Sequence, residues 1–145
     1  MKLVLDTNAL VSGLLWGGPP NRLLRWARDG LLQVLCCEEI LVELRRVLAY
    51  PRMRRRLEML DTSEAAAIAY LMNTLTHVPS PPALPVAVDA DPSDNLFLGL
   101  AVDAGARLLV SGDQHLLALG QFEGIPIVTP GEAIEVIDRL AGLSP

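Results

Sequence analysis

The sequence predicts an α/β fold: a central, mostly parallel sheet flanked by helices, in a three-layer sandwich. Three observations carry this. Short apolar runs alternate with amphipathic stretches along the chain, the pattern of strands joined by helical crossovers and covered on both faces. Two of the runs, Lys2–Leu5 and Arg107–Ser111, lead into aspartates, Asp6 and Asp113, as at the carboxyl edge of an open sheet. The composition is 51% hydrophobic but only 4% aromatic, so the core must be built from Leu, Val, Ile and Ala.

Each element follows from local signals. Lys2–Leu5 reads as a strand, and Asn8–Leu15 as a short helix stopped by the Gly17–Pro20 run. The next helix runs to about Asp29 and ends at Gly30. Leu31–Cys36 is a strand. Glu38–Ala49 is a helix, with Ile40, Leu41, Leu44, Val47 and Leu48 at helical spacing. Pro51 starts a short basic helix, and Ser63–Leu75 is another, capped by Ser63 or Thr62. Residues 79–92 hold five prolines and read as a stiff surface loop around a strand-like stretch at 86–88. Ser93–Ala104 is a helix apolar on nearly every side, and Arg107–Ser111 a strand. Gln114–Leu119 is a short helix and Ile125–Val128 the last strand. Thr129 and Glu132 form a capping box with Pro130 at the first helical position, opening a final helix to about Leu140.

The 145 residues suit one domain, 1–145. No apolar run approaches the roughly 18–20 residues of a membrane span, and the N-terminus lacks a signal-peptide pattern. Cys36 and Cys37 are adjacent and build no disulfide framework, so the expected location is the reducing cytoplasm. The net charge is −5, unevenly spread. Nine of the 12 basic residues lie within residues 22–56 against four acids, a net +5, and the remainder carries −10. A basic lobe beside converging acids suits a polyanion held by one and a metal held by the other. Solvated helix faces would give the same count.

Five acids are candidates for a site. Asp6 and Asp113 follow strands, although each could simply cap the helix after it. Glu43 stands at the border of its helix's apolar stripe, placed to enter a cleft or to pair with Arg45 or Arg46. Asp91 and Asp94 open the buried helix. Carboxylates are hard ligands that suit Mg²⁺ or Mn²⁺. His77, His115 and the cysteine pair lack zinc spacing, and no phosphate-binding glycine loop or nucleophile elbow is present. Asp6, Glu43, Asp94 and Asp113 should therefore line one pocket. Without a cation, mutual repulsion should raise the pKa of at least one of them.

DTNALVSGLL, EEILVELRRVL, DPSDNLFLGLAVDAGA and LLVSGDQHLLAL, followed by GIPIVTP, resemble the successive blocks of PIN-domain proteins. The chain is most similar to the branch of VapC-like ribonuclease toxins of toxin–antitoxin systems. Each block alone is weakly specific, and four in order are strongly specific. The resemblance runs from Lys2 to about Leu140 and implies a parallel α/β sheet with an acidic pocket at its carboxyl edge. The family acids fall on Asp6, Glu43, Asp94 and Asp113. Ser111 and Asn8 match its small polar positions, and Asp91 is an extra carboxylate whose role the resemblance leaves open. It implies a Mg²⁺- or Mn²⁺-dependent endoribonuclease, an RNA substrate, a cognate antitoxin and a homodimer. Asp6, Asp94 and Asp113 would be ligands, and Glu43 would bind a second metal or orient water. Asn8, Asp91 and Ser111 would support them, and Arg52, Arg54, Arg55 and Arg56 would hold RNA backbone. Two other classes stay open: another metal-dependent nuclease or phosphoryl hydrolase, and a catalytically silent PIN-type binding module.

Overall fold

The computed structural model describes residues 1–82 and 92–141. Leu3, Val4 and Leu5 of β1 (Lys2–Leu5) are all fully buried. The absence of alternation is what a strand covered on both faces requires. Around it lie β2 (Gln33–Cys36), β3 (Thr76–His77), β4 (Leu108–Val110), β5 (Gln121–Phe122) and β6 (Ile125–Val128). Their order is β3-β2-β1-β4-β6-β5, parallel throughout except for β5, which runs antiparallel to β6. The chain leaves β1 toward β2 and β3, then returns to add β4 on β1's other side. The β1/β4 seam is thus the topological switch point, where the crevice outside the strand ends opens. Leu5 pairs with Val110 and Val110 with Val128, so these three strands end level at the carboxyl edge.

Helices cover the sheet. One group is α1 (Thr7–Leu15), α2 (Pro19–Arg28), α3 (Glu38–Leu48), α4 (Pro51–Met59) and α5 (Glu64–Thr74). The C-terminal half adds α6 (Pro92–Asp103), α7 (Gln114–Leu117) and α8 (Pro130–Ala141). α2 packs on α1 and α8, and α6 packs on β1 and β4. Right-handed crossovers in opposite senses put α2 and α6 on opposite faces of the sheet. The result is the three-layer sandwich that the alternating runs predict.

Local signals behave as their chemistry demands. Ser63 Oγ accepts from Ala66 N at 3.1 Å, capping α5. Thr129 and Glu132 exchange reciprocal bonds of 3.2 Å at the start of α8. Gly13 permits the contact of α1 with α2: a Cβ there would lie 2.7 Å from Pro20 O and 2.8 Å from a Leu24 methyl carbon. The two-residue strands β3 and β5 are additions to the sequence reading, too short to show any period. The strand-like stretch at 86–88 lies outside the described residues.

α4 has a structural job beyond its charge. Arg56 is half-buried, its Nε donates to Leu15 O at 2.9 Å, and its guanidinium lies 5.3 Å from the centre of the Trp16 ring. It satisfies a carbonyl at the C-terminal end of α1, an end that favours a cation. Arg52 approaches the same ring at 5.7 Å and is exposed, as are Arg54 and Arg55. Among the described residues, no helix is long and apolar enough to cross a membrane.

Candidate active site

At the carboxyl edge, Asp6 and Ser111 stand side by side because their strands do. Asp6 N donates to Val110 O at 3.1 Å and Ser111 N donates to Val128 O at 2.9 Å, the last rungs of the ladder. Asp6 is only 4% exposed. Its Oδ1 accepts from Ala9 N at 2.8 Å, capping α1, while its Oδ2 accepts a hydrogen bond from the Ser111 hydroxyl. Ser111 Oγ in turn accepts from Asp113 N at 2.9 Å. Asp113 Oδ1 caps α7 by accepting from His115 N at 2.8 Å and Leu116 N at 3.2 Å. Both aspartates are therefore N-caps, as the plainer reading of the sequence had it, and the chain Asp6–Ser111–Asp113 also joins them across the β1/β4 seam.

Asp6 and Asp113 line one pocket, open to solvent, together with Thr7, Asn8, Glu43, Ser93, Asp94 and Phe97. The four acids expected to converge thus come from β1's end, α3, α6 and the β4–α7 turn. Asp94 is buried in the first turn of α6, whose positive N-terminal end favours a carboxylate. Asn8 is exposed at the pocket wall. Asp91 lies outside the described residues. Thr7, Ser93 and Phe97 also line the pocket and were not singled out from sequence. Their signal was adjacency: Thr7 follows Asp6, Ser93 precedes Asp94, and Phe97 lies one turn after Asp94.

Glu43 sits differently from the aspartates. Both its oxygens are taken by Arg46, with Nη2 to Oε1 at 2.6 Å and Nε to Oε2 at 3.1 Å. The pairing foreseen for a border residue and the pocket position are both realised. Among the described residues, no three His, Cys, Asp or Glu side chains stand close enough to hold a metal ion as placed.

Burial is the main cause that pushes the Asp6 carboxyl above its ordinary value of 3.8. Hydrogen bonds from Ser111 and Ala9 N pull it back, and the Asp113 charge adds a smaller push upward. Repulsion between acids is present, as expected, but desolvation leads. The donor set fits a divalent cation on these grounds: hard oxygen donors only, a buried carboxylate raised in part by its neighbour's charge, and a buried hydroxyl at the wall. Thr7 Oγ1 has no hydrogen-bond partner among the described residues. Asp6, Asp94 and Asp113 are the groups that would hold the ion, with Glu43 beside them.

A search of curated proteins returns no match. The PIN-domain family model matches residues 2–115, from β1 through Asp113 and into α7. That span contains every pocket residue named above, and with a mostly parallel sheet of six strands among the described residues the chain belongs to the PIN-domain family, a fold generally used by nucleases.

Proposed function

We propose that this protein is a Mg²⁺- or Mn²⁺-dependent endoribonuclease, acting as the toxin of a toxin–antitoxin pair. The observation that carries the enzymatic reading is the convergence of Asp6, Glu43, Asp94 and Asp113, from four separate segments, on one pocket at the sheet's switch point. Asp6, Asp94 and Asp113 would hold the cation, which would supply an activated water and screening of the phosphodiester charge. The chain's own residues do the rest. Ser111 and the α1 backbone fix the Asp6 carboxylate in one orientation. The first turn of α7 does the same for Asp113. Asn8, exposed at the pocket wall, is placed to bond a phosphate oxygen or a ligating carboxylate.

RNA as substrate and the toxin role rest on the resemblance of the sequence blocks. A cognate antitoxin and a homodimer are the partners this reading expects. The basic segment at residues 22–56 supports a polyanionic substrate. A substrate panel tests the proposal. With Mn²⁺ the purified protein should cleave single-stranded RNA internally and leave single-stranded DNA and a phosphate monoester intact. Equal or better turnover of DNA or of the monoester would replace the ribonuclease reading with one of the alternatives.

A further inference from the structure

Among the pocket acids, Glu43 has both oxygens held by an arginine fork, whereas Asp6 and Asp113 accept from neutral donors. Arg46 has a second support on its other side. Its Nη1 donates to Tyr50 Oη, and its guanidinium lies 5.6 Å from the centre of the Tyr50 ring. Positions 43, 46 and 50 are spaced three and four apart, so they form one row along α3 and just past its end. The arginine is therefore held at once by a carboxylate at the pocket and by an exposed aromatic residue one turn further on.

We propose that Arg46 is a latch on Glu43: it competes with the divalent cation for that carboxylate, and on loading it releases Glu43 while keeping its hold on Tyr50. This rests on the metal-dependent reading above. Magnitudes decide that the latch can open. The Arg46 and Glu43 side chains are 56% and 30% exposed, and ion pairs so open to water contribute little net stability. A doubly charged ion meeting several carboxylates outcompetes one such pair, and then repels the guanidinium. The fork is bidentate and planar, so lysine would not reproduce it. Arg46 is thus a positioning residue that sets the pocket's cation affinity through Glu43.

The test is a Mn²⁺ titration of the full chain without RNA, followed by the loss of the free-ion magnetic resonance signal. Wild type, Arg46→Met, Glu43→Gln and the double variant are compared, with thermal melting to establish that each is folded. Arg46→Met should tighten Mn²⁺ binding by about two- to fivefold, and Glu43→Gln should weaken it. In the Glu43→Gln background, Arg46→Met should change nothing, because the latch has nothing left to hold. Equal tightening with and without Glu43 would reduce Arg46 to a general surface charge and overturn the latch. So would unchanged or weaker binding in Arg46→Met while wild type takes up Mn²⁺. No uptake by wild type at all would overturn the metal-dependent reading itself, and the latch with it.

Discussion

At Asp6 the helix cap and the pocket wall are the same carboxylate, which is why neither reading of the sequence excluded the other. Asp113 repeats the arrangement on the neighbouring strand. The two readings part in the Asp6→Asn variant. Asparagine caps a helix as well as aspartate does, so α1 should keep its start. The Ser111 hydroxyl loses its acceptor, since the amide now donates to an oxygen already accepting from Asp113 N. The loss is offset by removal of a buried charge. A carboxyl whose folded pKa is raised binds its proton more tightly folded than unfolded. Ionised Asp6 therefore costs stability above its folded pKa, and that cost fades as pH falls toward its ordinary 3.8. Thermal melting of Asp6→Asn should equal or exceed wild type at pH 7, with the gap closing in acid. A gap that widens in acid would contradict the desolvated carboxylate.

At the scale of elements, the strand-end acids were legible because sheet topology and capping both put Asp after a buried run. The helix α3 was legible from its period, and Glu43's border position from the same count. Arg46 was one of two candidate partners for Glu43, and its three-residue spacing on the helix face selects it over Arg45. What the sequence hid was tertiary. Arg56 looked like one of four equal arginines, yet it meets the carbonyl of a residue 41 positions earlier. β3 and β5 exist because neighbouring strands pair with them, not because two residues carry a pattern. Two stability predictions belong here. Gly13→Ala puts a methyl into the Pro20 carbonyl and should cost about 1–3 kcal/mol in denaturant unfolding. Arg56→Ala strands the Leu15 carbonyl and uncovers Trp16, and should cost about 1 kcal/mol or more. No loss in Arg56→Ala would return it to the exposed basic surface.

Over the whole molecule, charge is divided between a basic segment and an acidic pocket. α1 separates parts of them. Its first residues line the pocket, while Trp16 beyond its last residue carries Arg52 and Arg56. Nine helical residues span about 14 Å, so α1 holds this arginine cluster at the end opposite its pocket residues. RNA held there would be anchored by its backbone at a distance from the bond that breaks. Replacing the exposed Arg52, Arg54 and Arg55 together should weaken RNA binding across all sequences. It should also flatten the salt dependence by about 0.7 log unit per decade of salt for each phosphate no longer neutralised. Binding unchanged at every salt concentration would make these arginines plain solvated surface. The convergence of the acids bears most directly on function, and one measurement addresses it: Mn²⁺-dependent RNA cleavage by wild type and Asp6→Asn, purified in parallel, with a chelator control. Cleavage by wild type that disappears with the chelator and in the folded Asp6→Asn protein is the expected result. Full cleavage by Asp6→Asn, with contaminating nuclease excluded, would contradict the role given to the pocket.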